Sequence, residues 1–109
     1  MKKLSINTLV DATSVVATAS YPFTADYHEV RSVQAIYTAT TASFTLALQY
    51  SNDGTNWEDF TTATAITNAS GKVMWNVVGT KDAKYWQVVA TRTSGTLLTL
   101  KAYLSYLPR

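Results

Sequence analysis

The stretch FTLALQYSNDGTNW, residues 44–57, alternates apolar and polar side chains and then breaks into turn-forming residues. In an extended chain successive side chains point to opposite faces, so Phe44, Leu46, Leu48 and Tyr50 share one face and Thr45, Ala47, Gln49 and Ser51 the other. That is a strand with one face buried and the other wet or lightly covered. The same period of two recurs downstream. In KVMWNVV, Val73, Trp75 and Val77 oppose Met74, Asn76 and Val78; in YWQVVATRT, Trp86, Val88 and Ala90 oppose Tyr85, Gln87, Val89 and Thr91. Leu98, Leu100, Ala102, Leu104 and Tyr106 make the longest alternating face, within LLTLKAYLSYL. Between these runs FTTATAIT reads as extended, while NASG (68–71), GTKDAK (79–84) and SGT (94–96) are rich in turn formers. The short SGT link predicts that the last two strands pair as a hairpin.

Upstream the strands are read in LSINTLV (4–10), SVVATAS (14–20) and EVRSVQAIYTA (29–39), with Tyr21-Pro22-Phe23 and ADYH (25–28) as irregular connectors. Threonine and alanine dominate, and Glu/Lys pairs at helical spacing are scarce, which is a strand composition. Seven to eight short strands at regular spacing predict a single antiparallel β-sandwich or jelly-roll-like barrel over residues 1–109, with a short N-terminal arm (1–12) and a C-terminal tail (105–109).

A chain of 109 residues has material for one modest core. Its net charge of +2 comes from scattered residues, 15% of the total, so no basic patch of the kind that grips nucleic acid is visible. There is no cysteine, which removes disulfides, thiolate metal sites and thiol nucleophiles together. The opening MKKLSINTLVDATSVVATAS has the lysines and small residues of a secretory leader, but Asn7, Thr8, Asp11 and Thr13 interrupt its apolar stretch. No apolar run approaches bilayer length.

The loop after the deciding strand suits a turn residue by residue. Asn52, Asp53 and Gly54 tolerate positive φ at an apex, and Asp53 and Asn56 can cap backbone N–H groups. Trp57 would fold back on the sheet as the loop's hydrophobic anchor, its indole N–H meeting a loop carbonyl or water. SNDGTNW resembles the S-x-DG-x-x-W hairpin of discoidin-like (coagulation factor C-type) sandwiches. It more closely resembles that of small all-β proteins encoded by tailed bacteriophages. With the latter it shares an ordered series over residues 30 to 107: SVQAIYTA, then LQYSNDGTNW, a Thr/Ala/Ile strand, GKVMWNV, KYWQVVAT and SGTLLTLKAYL. This resemblance implies a virion role as a capsid-decoration, head-fibre or tail-associated protein. The chain is shorter than discoidin domains and lacks their cysteines, so no ligand loop carries over from them.

The chemistry of catalysis is hard to assemble here. Glu58 and Asp59 are adjacent and would point to opposite faces of a strand, whereas glycosidases need two carboxyls facing across a cleft. His28 is the single histidine, and no serine sits in a nucleophile elbow. Asp53, Asn56, Glu58 and Asp59 supply hard oxygens for Ca²⁺, but not in the order or with the distal Glu of an EF-hand. Trp75 and Trp86 read as core, leaving Trp57, Tyr21, Tyr27 and Tyr103 freer for a glycan.

Taken with the phage resemblance, which implies the virion role and location, the sequence predicts a structural protein without catalysis or cofactor, localised in the virion. Its partners would be copies of itself and other virion proteins such as the major capsid protein, with neither nucleic acid nor membrane. Sheet faces rich in Thr, Ala and Gln are easily desolvated against a neighbour. Lys2, Lys3 and Leu4 in the arm and Tyr106, Leu107 and Pro108 in the tail are the expected assembly contacts. Asn52, Asp53, Gly54, Asn56 and Trp57 are expected to form a structural turn or, in the alternative, the ligand loop of a carbohydrate or cell-surface binding module.

Overall fold

The computed structural model describes residues 5–24, 28–77 and 83–108. Among them run nine strands: β1 (Ser5–Val15), β2 (Ala19–Thr24), β3 (His28–Thr38), β4 (Ala42–Ser51), β5 (Glu58–Asp59), β6 (Thr64–Thr67), β7 (Gly71–Asn76), β8 (Tyr85–Gly95) and β9 (Leu97–Pro108). They form two antiparallel sheets. One has four strands in the order β1-β9-β3-β7, and the other has five, β2-β8-β4-β5 with β6 also on β4. The molecule measures 44 × 30 × 19 Å. Its thin dimension is what two sheets about 10 Å apart and their outer side chains require.

Successive strands alternate between the sheets, apart from β4, β5 and β6, which stay in one sheet. This is the strand order of a jelly roll, with one strand split into β5 and β6 along the same edge of β4. The expected all-β sandwich is present. The expected hairpin between the last two strands is not: β8 lies in the five-stranded sheet and β9 in the four-stranded one. The SGT link carries the chain across the sandwich. Gly95 adopts φ 75, and a Cβ there would fall 2.2 Å from the Thr41 carbonyl oxygen. That same carbonyl accepts the Thr96 N–H at 3.3 Å.

The core fills the space between the inward faces, with Val33, Phe44, Leu46, Leu48, Ile66, Trp86, Val88 and Leu100 fully buried. Each such side chain stabilises the fold by about 1.5–3 kcal/mol. Trp75 is buried as well, so the alternation identifies both core tryptophans. In β9 it fails at the first step, because Leu97 is buried and Leu98 is 45% exposed. The opposite strand changes phase at the same place: Ser14 takes φ 54, and Val15, in register with Leu97, is buried.

Three expectations about segments are corrected. Tyr21, Pro22 and Phe23 belong to β2, an edge strand, where a proline is tolerated because its missing N–H faces away from the ladder. Residues 5–12, expected as an arm, are paired along β9, with Val10 buried; Lys2, Lys3 and Leu4 lie outside the described residues. Residues 105–108, expected as a tail, continue β9 between β1 and β3. Tyr106 packs against the core, while Leu107 and Pro108 pair with Glu29 and His28.

Candidate ligand-binding cleft

The loop between β4 and β5 is built on one buried polar residue, Ser51, at the end of β4. Its hydroxyl oxygen accepts the backbone N–H groups of Asp53 (3.2 Å) and Gly54 (3.0 Å) and donates to Asp53 Oδ1 (2.8 Å). The same Oδ1 accepts the N–H groups of Thr55 and Asn56, each at 2.8 Å, and Oδ2 accepts Asn56 Nδ2 at 2.7 Å. Asp53 thus caps the turn, as its residue type predicts. Asn56 serves it as a donor, and only Gly54, at φ 77, takes the positive φ expected of the apex. β5 then returns along β4, with Tyr50 opposite Glu58 and Gln49 opposite Asp59. That pairing puts the two adjacent carboxylates on opposite faces of the sheet.

These donors hold the Asp53 carboxyl well below the usual carboxylate range, the Asn56 N–H contributing most and the Thr55 N–H next. A group whose pKa is depressed by folding stabilises the folded state above its unfolded value of about 3.9 and loses that contribution as pH falls toward the folded value. We expect the Asp53 carboxyl carbon signal to show no titration through pH 4, and the loop amide signals to persist there. A midpoint near the unfolded value would disprove the capping role.

Trp57 does not anchor this loop. The anchor is Phe60, which packs against the core with its ring 6.2 Å from Trp86, its N–H bonded to the Leu48 carbonyl at 2.7 Å. Trp57 is half-exposed, lies outside the hydrophobic core, and makes no hydrogen bond or ring contact among the described residues. It lines two hollows. One, of about 360 Å³, is polar-rimmed and lined by Tyr50, Ser51, Asn52, Asn56 and Glu58; the other, of about 540 Å³, is walled by Pro22, Phe23, Thr24 and Tyr85 with Trp86 beneath. Asp53 borders both. Gly54 lies over the Tyr85 ring, which a Cβ would meet at 3.6 Å, and Lys84 Nζ is 5.3 Å from that ring's centroid.

No family model and no curated protein sequence matches the chain. Among solved structures it is similar to the Yersinia pseudotuberculosis-derived mitogen, with a TM-score of 0.52 over 100% of this chain and 88% of that one, at 12% identity. At that identity the likeness is one of fold.

The five loop residues singled out from the sequence do come together at one end of the sandwich. Phe23, Pro22 and Tyr85, which complete the site, were not singled out. Reading residues 21–23 as a connector hid the first two, and Tyr85 is brought beside Gly54 by the β4–β8 register, in which it pairs with Ser51. Tyr21 packs against the core and burial pushes its phenol pKa up, so it is no free platform; Tyr27 lies outside the described residues. Among the described residues no group of three or more His, Cys, Asp or Glu side chains could hold a metal ion.

The outward sheet faces differ in kind. On the five-stranded sheet, Gln87 Nε2 donates to Gln49 Oε1 (2.6 Å) and Gln49 Nε2 to Asp59 Oδ1 (2.8 Å), tying the amides to one another. On the four-stranded sheet, Met74 and Tyr103 flank Gln34 in register, and Ile36 follows two residues along β3. Met74 is 49% and Ile36 38% exposed, and Ile6 on the edge strand 74%.

Proposed function

We propose that this chain is a non-catalytic structural protein of a bacteriophage virion, working by contact with copies of itself and with other virion proteins such as the major capsid protein. The observation that carries the assembly part is the outward face of the four-stranded sheet, where Ile6, Ile36 and Met74 are exposed around Tyr103. Lys72 and Lys101 flank Ile36 in register, so the face is mixed, and its apolar positions support a contact there without making a continuous patch. The virion part rests on the ordered motifs of residues 30–107. Jelly-roll sandwiches recur in viral capsid domains, which is an analogy of fold and no more. The non-catalytic part is supported by the carboxylates: Glu58 and Asp59 diverge, and Asp53 is committed to its own loop.

Light scattering over a dilution series tests this. The wild-type chain is expected to run as a closed oligomer, and Ile36→Glu with Met74→Glu as a monomer of unchanged Tm, because both positions are exposed in the single chain. A wild-type monomer at every concentration, alone and with capsid protein added, would refute the assembly reading.

A second reading is favoured by Trp57: a module that binds a cell surface through the β4–β5 loop. A large indole held off the core by a prefolded loop and lining two hollows is a binding feature that assembly through the sheet face does not use.

A further inference from the structure

The hollows beside Trp57 have unlike chemistry, and the indole that lines both is available to a ligand. Phe60 already closes the core three residues on, so burial of Trp57 is not needed for the fold. Its surroundings are fixed in advance, since Asp53 and Ser51 hold the loop through six hydrogen bonds of 2.7–3.2 Å. A ligand would therefore meet an ordered site and would not have to order the loop, which lowers the cost of binding.

We propose that this end of the sandwich binds a neutral oligosaccharide, one sugar ring packing its C–H face on the Trp57 indole while its hydroxyls meet the polar hollow. The proposal rests on the second reading above and gives it a ligand class. The negative face of an aromatic ring suits the weakly positive C–H groups of a pyranose. The polar hollow is lined by the Asn52 amide and by the Glu58 carboxylate, whose Oε2 accepts the Tyr50 phenol at 3.4 Å. A sugar hydroxyl both donates and accepts, and this mixture answers it on both counts. Two carboxylates, Asp53 and Glu58, border that hollow, so an anionic sugar would be repelled. A cationic ligand is disfavoured on the other side, where the Lys84 ammonium already stands over Tyr85. Volumes of about 360 and 540 Å³ lie in the range of small-ligand sites. Because Trp57 lines both, a chain of two or more sugar units could contact each hollow while packed on it.

The test titrates ¹⁵N-labelled protein with maltotetraose, chitotetraose, cellotetraose and mannotetraose, and with sialyllactose and a heparin tetrasaccharide as acidic probes. The readout is the Trp57 indole N–H signal, assigned by its loss in Trp57→Phe. At least one neutral probe is expected to move it saturably, and the acidic probes to leave it still. Trp57→Ala should weaken that binding about tenfold or more. Its Tm should stay at the wild-type value, since Trp57 lies outside the core. No response to any neutral probe at millimolar concentration overturns the proposal, as do binding that survives Trp57→Ala and preference for an acidic probe. Retention on whole bacterial cells separates the two levels. Trp57-dependent retention without a sugar response refutes the saccharide and leaves surface binding standing, whereas loss of both refutes both.

Discussion

Gly95→Ala is expected to destabilise the domain by about 3 kcal/mol or more, from about 1–2 kcal/mol for a left-handed non-glycine residue and about 1–3 kcal/mol for forced overpacking. The overpacking has no soft partner to absorb it. The new Cβ would lie 2.2 Å from the Thr41 oxygen and 2.8 Å from the Ala42 Cα, both backbone atoms at the start of β4. Moving them would disturb the only link between β8 and β9. Gly54→Ala is the internal control, because its φ of 77 nearly equals the 75 of Gly95 while its Cβ would meet only the Tyr85 ring at 3.6 Å. That variant should lose about 1–2 kcal/mol, the conformational part alone. Urea unfolding of the pair decides the matter: equal losses would show that the approach to Thr41 carries no energy of its own.

Trp86→Ala should be costlier still, about 3–5 kcal/mol, the range for removing a large aromatic from a core. Trp86 is fully buried and touches three rings from three segments: Phe23 of β2 at 6.4 Å, Tyr50 of β4 at 5.7 Å and Phe60 beyond β5 at 6.2 Å. Its indole N–H also donates to the Ala83 carbonyl at 3.0 Å. Small domains hold about 5–15 kcal/mol in total, so this loss is a large fraction of the stability and should lower the unfolding midpoint markedly. Trp86→Phe keeps most of the ring volume and orphans only the Ala83 carbonyl, for a loss of about 1–3 kcal/mol. A small loss in Trp86→Ala, measured by the same unfolding curves, would mean that the three rings close over the gap.

The alternation of β4, β7 and β8 was legible because each strand has one face in the core, and a period of two reports that directly. Which sheet a strand joins was not, since a period of two says in or out and nothing about the partner. The residues Ser94, Gly95 and Thr96 suit a hairpin as well as a crossing, and only the approach of Gly95 to Thr41 distinguishes them. The loop was legible in its capping, where Asp53 bonds to N–H groups two and three residues away. Its aromatic roles were not. Whether Trp57 or Phe60 reaches Trp86 depends on the register of β5 against β4, which is set by contacts distant in sequence. Pro22 misled in a similar way, because an edge strand and a connector accept proline equally well.

The position of β9 between β1 and β3 has a consequence for how the chain reaches this state. Ser5 pairs with Tyr106 and Val30 also with Tyr106, so two strands made early share a partner made much later. Neither can complete its ladder during synthesis until that partner leaves the ribosome. Such late closure of distant pairs is slow, in the range of milliseconds to seconds for sandwiches of this kind. Until then β1 and β3 are exposed to other nascent copies, and the yield of soluble protein should depend on chain concentration and temperature during expression more than on final stability.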